Sequence, residues 1–474
     1  MEKITKQIGS PEDEEKQIDL ISFILVVVVV AVLPLVSFPK VVNTPVNTWY
    51  FLDIHGYYKL IFLIVLSMFM ITLMGFKALA RKQRIKFSIP LVLFLLWMLV
   101  SLFFAKDRAV AFHGYPLRWQ GFVAYFCYAV VFIFVVNMIK KKYIGKVITA
   151  YFIGVILCAI HSIINYYGIE PLNIITVFFY DTRIVPEISR GTLGNRNTAG
   201  AFFAIPTVMA LVLFLKSKSK KRNILYYFYL VLSYAALLVS LTRIAWLGTI
   251  GAIVLVIWVF RNNFKEHLKK FLLVAVTFTV ILIILDFSGD GRIVSRYYSM
   301  KAQIKKAYEG DLEQFGTSRF FIYGKAFKVI AEHPIVGTGP DCFAYYSVIT
   351  REEYEEHPEL KGVGYFDKVH SEYLEYAATM GIPALIFYLW FLLSIFIPWI
   401  KKRKEISPEI LAILLGLTGY LLQACFNFGA ISTLPGVFAL LGILKNTLKK
   451  EENNERIENF ADDSAIIDIN DNTH

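Results

Sequence analysis

The sequence has few charged residues and few cysteines for its length. Charged residues occupy 18% of the 474 positions and hydrophobic residues 57%, and the mean hydropathy is +0.56. Soluble domains carry about 25% charged residues, so the composition indicates an integral membrane protein. The cysteines have no Cys-x-x-Cys or Cys/His spacing, so neither a disulfide framework nor a zinc or redox site is implied. They are Cys127, Cys158, Cys342 and Cys425.

The basic residues account for a formal net charge of +12, but they lie in short clusters between apolar runs. This pattern is typical of membrane topology signals, and we expect no nucleic-acid partner. The clusters fall in every second connection, so the positive-inside rule places those connections and both termini in the cytoplasm. The clusters are Arg81–Arg84, Lys140–Lys142, Lys218–Arg222, Lys269–Lys270 and Lys401–Lys404.

Long apolar runs make up most of the chain. The first covers residues 20–38, and because no small-residue cleavage site follows it, we interpret it as a retained anchor. Further runs lie at 58–79, 88–105, 121–139, 145–167, 198–215, 224–241, 244–260, 271–286, 381–399, 409–426 and 431–446. A backbone in lipid must satisfy its own hydrogen bonds, so the predicted fold class is an all-α polytopic membrane protein with about twelve transmembrane helices.

One long polar stretch separates the ninth and tenth predicted helices. The predicted organisation is a cytoplasmic segment at 1–19, helices 1–9 at 20–286, a large, mainly helical extracytoplasmic loop at 287–380, helices 10–12 at 381–446 and a cytoplasmic, disordered acidic tail at 447–474. Within the loop, apolar spacing predicts helices from Arg292 to about Tyr308 and from Ser318 to about Ala331. A helix that begins near Tyr373 is expected to continue into the next span.

Arg243 has almost no loop around it, because it lies between two apolar runs. A charged side chain at membrane depth costs on the order of a few kcal/mol, so it needs a partner or a cavity unless it reaches the membrane surface. Arg319 begins an amphipathic helix of the loop, where a solvated charge is the alternative to a functional one.

A Gly/Asn turn that leads into a span is flanked by Arg190 and Arg196. An arginine beside a helix N-terminus is well placed to bind an anion, since exposed backbone N–H groups add to its charge. The structural alternative is that the glycines shape the turn and that Asn197 or Thr198 caps the next helix.

His370 lies close to the end of the long loop. A neutral imidazole can accept a proton from a hydroxyl group, and Glu372 or Glu375 is near enough in sequence to orient it. The alternative is a surface or capping histidine. The acidic run at 352–357 is either a cation site or, more simply, a solvated charged helix.

Taken together, four stretches resemble the O-antigen ligase and O-antigen polymerase superfamily. They are Gly191–Asn197, Arg243 with Leu247, Arg319 through Pro340, and His370-Ser371 followed after nine residues by Gly381. The similarity covers the chain from about Gly114 to Leu441 and includes the order and spacing of these stretches.

The resemblance implies a glycosyltransferase of the bacterial cytoplasmic membrane that needs no metal or other cofactor. It would transfer a glycan from an undecaprenyl-pyrophosphate-linked donor to a glycan, lipid or protein acceptor at the outer face, with inversion at the anomeric carbon. His370 would activate the acceptor hydroxyl. Arginines would hold the pyrophosphate, first Arg243 and Arg319 and then Arg190 and Arg196. The supporting residues would be Glu372, Glu375, Asn195 and Asn197.

Several alternatives stay open at this point. Many relatives have proline where Arg196 stands, so its role does not transfer from the ligases. The activity can be that of a ligase, a polymerase or a protein O-oligosaccharyltransferase, and lipid A core, a growing repeat unit, a cell-wall polymer or a protein hydroxyl can be the acceptor. A transporter or flippase for an anionic lipid or solute is the alternative from another class. The large loop favours the enzyme, in which His370 and Arg243 must face one lipid-accessible cavity.

Overall fold

The computed structural model describes residues 11–46, 50–180, 190–308, 319–402 and 406–448. In chain order its helices up to the long loop are α1 Pro11–Val27, α2 Tyr57–Ala80, α3 Ile89–Phe103, α4 Arg108–His113, α5 Phe122–Met138, α6 Lys141–Tyr166, α7 Asn173–Tyr180, α8 Arg196–Lys216, α9 Lys220–Val239, α10 Arg243–Val259 and α11 Phe264–Ser288. The helices that follow are α12 Arg292–Tyr308, α13 Arg319–Glu332, α14 Arg351–Glu356, α15 Glu372–Met380, α16 Ile382–Lys401, α17 Pro408–Ala424 and α18 Leu434–Leu448. The strands are β1 Lys40–Asn43 and β2 Tyr50–Asp53.

The described part of the chain is almost entirely helical. Seven of its helices are long and apolar enough to cross a membrane, and five shorter apolar helices accompany them. This confirms a polytopic helical fold. The number of spans, the division of the chain into segments and the side on which the long loop lies stay predictions. The acidic tail from Glu451 onward and the expected helix start at Ser318 lie outside the described residues.

The first apolar helix begins earlier than predicted. It starts at Pro11 instead of residue 20, because its polar first turns have partners. Asp19 is 2% exposed and forms ion pairs with Lys140 at 2.8 Å and Lys142 at 3.4 Å, while Glu15 lies 2.6 Å from the Lys140 ammonium. Paired carboxylates can be packed in a helix where isolated ones would be costly.

The centre of the helical bundle is α8, which is buried on every side from Thr198 to Leu215. It packs against α9, α10 and α17. Small residues permit the close approach, since a side chain at Gly200 would meet Ala245 and Thr242 of the neighbouring segment. A helix enclosed on all sides needs no polar face, which explains the unbroken apolar run in its sequence.

A two-stranded hairpin was not predicted. The strands β1 and β2 are antiparallel, with Lys40 opposite Asp53. The Asp53 carboxylate accepts the backbone N–H groups of His55, Gly56 and Tyr57 at 2.8 to 3.0 Å, so it caps α2. The hairpin is therefore anchored to the start of a helix, although each strand is only four residues long.

Two helices of the long loop agree with the prediction, and the junction at its end does not. The described helices α12 and α13 lie where the apolar spacing places them. However, α15 stops at Met380, and Gly381 has a φ of +82° before α16 begins. The expected continuous helix is therefore wrong, because a left-handed residue interrupts it.

The segment of residues 334–339 packs along this junction. The Gly339 N–H donates to the Thr379 carbonyl at 2.8 Å, and the Ile382 N–H donates to the Pro334 carbonyl at 2.9 Å. The turn Gly337–Pro340 thus has a structural role, because it attaches the long loop to the helix break at Gly381.

Replacing Gly381 with Ala should lower the stability of the folded protein. The left-handed conformation costs a residue with a Cβ about 1–2 kcal/mol, and the added carbon would overlap the Ile335 carbonyl. Thermal unfolding of the purified protein in detergent should occur at a temperature several degrees lower. Gly324→Ala is the matched control, because nothing lies within 4 Å of its added Cβ. Equal unfolding temperatures for both variants would contradict this account of the junction.

Candidate active site

His370 lies two residues before α15 in a strained backbone conformation. Its φ is +61°, which costs a non-glycine residue about 1–2 kcal/mol. Neighbouring groups hold it there: the Tyr323 hydroxyl donates to the His370 carbonyl at 3.2 Å, Ser371 caps α15, and the Glu372 N–H donates to the Asn427 carbonyl at 2.8 Å. Strain that the surroundings maintain is common at functional positions.

The His370 imidazole is packed against the Phe428 ring at a centroid distance of 5.2 Å. Its Nδ1 atom is buried and has no hydrogen-bond partner among the described residues. Burial and then the positive charge of Arg319 lower the pKa of His370 to about 4, against the opposing effect of Asp367. The side chain is therefore neutral at physiological pH, as a proton acceptor must be.

The sequence suggested that Glu372 orients the imidazole, but the Glu372 carboxylate has other partners. Its carboxylate accepts hydrogen bonds from the hydroxyls of Tyr376, Tyr388 and Tyr420 at 3.0, 2.8 and 2.6 Å. These tyrosines belong to α15, α16 and α17. Glu372 thus joins the start of α15 to two apolar helices.

Glu375 acts on the backbone beside His370 instead of on its ring. It accepts the Val369 N–H at 2.7 Å and lies 3.1 Å from the Lys368 ammonium, which also contacts Asp341 at 2.5 Å. Lys368 is 2% exposed. Burial by itself would lower the pKa of Lys368, but the charges of Asp341 and Glu375 hold it above its usual range. The ammonium therefore stays charged between two carboxylates.

The connection between α4 and α5 is bound to the same network. The Asp341 carboxylate accepts the backbone N–H groups of Tyr115 at 2.6 Å and Gln120 at 3.1 Å. Arg118 forms an ion pair with Asp367 at 2.5 Å between Nε and Oδ2. These contacts fix the long loop against the helical bundle just before His370.

Four arginines from four helices are close enough for their charges to interact. The charges of Arg319 and Arg196 act on Arg243. Burial lowers the pKa of Arg296, and the charges of Arg196 and Arg243 add to this effect. Burial also lowers the pKa of Arg319; Tyr323 opposes this effect and the charge of Arg196 adds to it. Among the described residues, Arg196, Arg296 and Arg319 form no ion pair with a carboxylate. We call these four residues the arginine cluster.

Two helix N-termini meet at the arginine cluster. The Thr242 hydroxyl, directly before α10, donates to the carbonyl of Arg196, the first residue of α8, at 2.8 Å. The cap of α8 is Asn195, which accepts the Asn197 N–H at 2.7 Å, and not Asn197 or Thr198 as the structural alternative proposed. Both helix dipoles add positive potential at this position.

Asn427 connects the arginine cluster to the His370 segment. Its amide donates to the Asn197 carbonyl at 3.0 Å, while its own carbonyl accepts the Glu372 N–H. It is fully buried. The beginnings of α8 and α15 are therefore held together by one residue, through its side-chain amide and its backbone carbonyl.

Arg190 lies elsewhere, in the wall of a cavity of about 380 Å³. It is not among the charges that act on Arg243, Arg296 or Arg319. The other polar residues of the wall are Asp53, His55, Arg118, Gln120, Asn195, Thr198 and Ser432. The structure thus separates the two arginines of the Gly/Asn turn, which the sequence placed together.

Sequence reasoning missed Arg296, Lys368, Asp341 and Asn427. Arg296 lies one turn after Arg292 in α12, which resembles any charged face of a surface helix. Lys368 and Asp341 are 27 positions apart in the chain, and only the folded loop brings them together. Asn427 offered one signal, since it is a polar residue at the end of an apolar run.

Part of the chain is similar to a known protein family. Residues 228–389 match the O-antigen ligase family, Wzy_C. No curated protein matches the chain significantly. The matched segment contains Arg243, Arg296, Arg319 and His370. Together with the apolar helices, it supports a membrane glycan-processing function. Residues 228–389 of this multi-pass chain are thus similar to the O-antigen ligase family.

Proposed function

We propose that this protein transfers a glycan from a polyprenyl-pyrophosphate-linked donor to an acceptor hydroxyl at the outer face of the bacterial cytoplasmic membrane. The arginine cluster beside His370 carries the proposal. Like charges repel, and Arg196, Arg296 and Arg319 form no ion pair with a carboxylate among the described residues. Grouping them is therefore costly unless an anion binds between them. The positive-inside rule supports the outward position of this site and the cytoplasmic position of both termini.

The arginine cluster suits a pyrophosphate group. A guanidinium pairs with two phosphate oxygens at once and stays charged even when buried. The predicted pair Arg243 and Arg319 would bind it together with Arg196, and Arg296, whose charge interacts with those of Arg196 and Arg243, would join this set. As these groups supply positive charge to the leaving pyrophosphate, we expect no metal ion to be needed.

His370 would act as the general base. The acceptor O–H gives its proton to the imidazole while the oxygen forms a bond to the anomeric carbon of the donor sugar. The bond between that carbon and the pyrophosphate oxygen breaks, and its electron pair leaves with the pyrophosphate. Attack from the opposite side inverts the anomeric centre, and the arginine cluster stabilises the negative charge that develops.

Donor binding would also make His370 a stronger base. Burial and then the charge of Arg319 lower the pKa of His370. A pyrophosphate on Arg319 neutralises that charge and brings negative charge near the imidazole, which favours the protonated form. The base would thus be prepared only when the donor is in place.

The same site also serves a polymerase or a protein O-oligosaccharyltransferase, which differ from a ligase only in the acceptor. A transporter or flippase would not form a new glycosidic bond. Purified protein that forms glycosidic product without a gradient would therefore count against transport.

His370→Ala should reduce transfer by about 10²- to 10⁴-fold, the usual contribution of a general base. Transfer is measured with purified protein and lipid-linked donor, and folded protein is quantified in parallel. His113→Ala is the control, since His113 is exposed. Full activity of the correctly folded His370 variant would exclude this base.

Arg319→Ala and Arg296→Ala should each weaken donor binding by about 10- to 100-fold, the equivalent of one charged hydrogen bond of about 1.5–3 kcal/mol. Lysine at either position should restore part of the affinity, because it keeps the positive charge but lacks the planar guanidinium that pairs with two phosphate oxygens. The donor KM reports this effect. Arg351→Ala is the control, as the Arg351 side chain is 89% exposed. An unchanged donor KM in Arg296→Ala would remove Arg296 from the site.

Activity should rise with pH through the pKa of His370, because only the neutral imidazole accepts a proton. In donor-free protein, His370 should titrate near pH 4, as followed by NMR of labelled histidine. With saturating donor, the acidic limb of kcat/KM for the acceptor should lie at higher pH. Arg319→Gln should raise the donor-free pKa, since it removes a positive charge. Identical midpoints with and without donor would contradict the coupling.

A further inference from the structure

We propose that helix α12, Arg292–Tyr308, lies at the membrane surface and binds the headgroups of anionic phospholipids through its lysines. The inference concerns how the long loop meets the lipid, and it holds or fails independently of the transfer reaction. The partner is a phospholipid such as phosphatidylglycerol, whose headgroup carries a negative charge.

The helix before α12 is uncovered by protein up to its last turn. Phe287 is 89% exposed, and Ile283 and Ile284 are 57% and 58% exposed. Because α11 is long and apolar enough to cross a membrane, lipid is the natural cover for these side chains. The hydrocarbon therefore reaches the end of α11 at Ser288. Helix α12 begins four residues later, at Arg292, which places it at the depth of the headgroups.

A second segment of the chain marks the same depth. The Tyr167 and Ser288 hydroxyls form a hydrogen bond of 2.7 Å, so the end of α6 lies beside the end of α11. The chain continues from there into α7, which contains no charged residue. In that helix Ile174 and Phe178 are 80% and 81% exposed. Apolar side chains exposed beside the ends of two apolar helices are typical of the membrane interface.

Hydrogen bonds fix the corner between α11 and α12. The Asp286 carboxylate accepts the backbone N–H groups of Ile293 at 3.0 Å and Val294 at 2.9 Å, so it caps α12. The Arg292 guanidinium donates to the Tyr166 carbonyl at 2.7 Å. Ile293 is 3% exposed and anchors the first turn. The start of α12 is therefore held at the end of the preceding helix and, with it, at the membrane surface.

The apolar face of α12 loses its protein cover after the first turn. In the sequence, apolar residues recur at positions 293, 297, 300, 304 and 308, which is the spacing of one helix face. Ile293 is buried, but one turn later Tyr297 is 54% exposed, and the adjacent Tyr298 is 62% exposed. Tyrosine is enriched at membrane–water interfaces, because its ring is apolar and its hydroxyl group is polar. This face is therefore suited to contact with lipid.

The remaining face of α12 is basic. The helix contains five basic residues and no acidic one, and the side chains of Lys301 and Lys305 are exposed. The positive-inside rule predicts that the long loop lies on the opposite side of the membrane from the basic clusters that serve as topology signals. The charges of α12 therefore need another explanation. An amphipathic helix with a basic polar face binds anionic lipid by its charge as well as by its apolar area.

The depth of α12 favours phospholipid over a soluble protein as the partner. A soluble protein would have to displace lipid to reach Tyr297, whereas headgroup phosphates already lie at this level. The long side chains of Lys301 and Lys305 can extend along the apolar surface to reach them. Arg296 of the arginine cluster belongs to the same helix, so lipid contacts of α12 would also set the depth of Arg296 in the membrane.

Fluorescence quenching in lipid nanodiscs measures the depth of α12. Tyr297→Cys is labelled with bimane in a Cys425→Ser background, because Cys425 is exposed and the other cysteines are buried. The discs contain phosphatidylcholine and a phospholipid with a nitroxide near the top of its acyl chain. Arg351→Cys in the same background is the control, since the Arg351 side chain of α14 is 89% exposed.

The lipid nitroxide should quench the label at residue 297 severalfold more strongly than the label at residue 351, and aqueous iodide should show the reverse order. The reason is that an interfacial helix buries its apolar face about 5–10 Å into the boundary between headgroups and acyl chains. Equal quenching of the two labels by lipid, or strong quenching of residue 297 by iodide, would overturn the position of α12.

The double variant Lys301→Gln/Lys305→Gln tests the headgroup preference. Relative association is measured by quenching of the Tyr297→Cys label with nitroxide-labelled phosphatidylglycerol or phosphatidylcholine at equal mole fractions. Phosphatidylglycerol should be preferred, and each lysine removed should lower the preference by up to about fivefold. Lys328→Gln/Lys361→Gln is the matched control, since both lysines are exposed on the same loop.

The preference for phosphatidylglycerol should also fall in high salt, because surface charges are then screened. Equal association of both lipids with the parent protein, or an unchanged preference in the Lys301→Gln/Lys305→Gln variant, would overturn headgroup binding. Unfolding temperatures of both double variants should equal that of the parent protein. None of these measurements uses a donor or a transfer assay, so a failure of the proposed function would leave their outcome unaffected.

Discussion

The buried ammonium of Lys368 is the interaction on which the site depends. It lies between Asp341 and Glu375, and these carboxylates also bind backbone N–H groups of the α4–α5 connection and of Val369. Removing one partner of a buried ion pair typically costs about 3–5 kcal/mol, since the other charge is left uncompensated. The network therefore ties the long loop to the bundle, and the position of His370 follows from it.

Charge is distributed unevenly around Lys368 and its two carboxylate partners. The carboxylates are satisfied by Lys368 and Arg118, whereas the arginine cluster has the N-termini of α8 and α10 as further sources of positive potential. Near His370 the carboxylates are thus paired with cations, whereas the arginine cluster is where we propose that an anion binds. Burial and then the charge of Arg319 lower the pKa of His370 and keep its imidazole neutral. In the proposed mechanism, donor binding and the basicity of His370 would therefore both depend on Arg319.

Regular features could be predicted from the sequence, and the junctions could not. The apolar runs and the spacing in α12 and α13 are local signals with the period of a helix, and they were correct. The early start of α1, the break at Gly381 and the cap at Asn195 depend on partners distant in the chain. Of the proposed site residues, His370, Arg243 and Arg319 were named by resemblance and stay predictions. The positions of Glu372, Glu375 and Arg190 could be seen only in the folded chain.

The sequence by itself determined that this is a helical membrane protein, because hydropathy and helical period are properties of residues close together in the chain. It also named residue types that are suited to glycan transfer. Only the tertiary structure decided which charges are paired. It joined Lys368 to Asp341, grouped Arg296 with Arg243, and placed Arg190 in a separate cavity. Electrostatic partners are set by distance in space, and hydrogen bonds between segments more than 200 residues apart, such as that of Asn427 with Asn197, have no local signature in the chain.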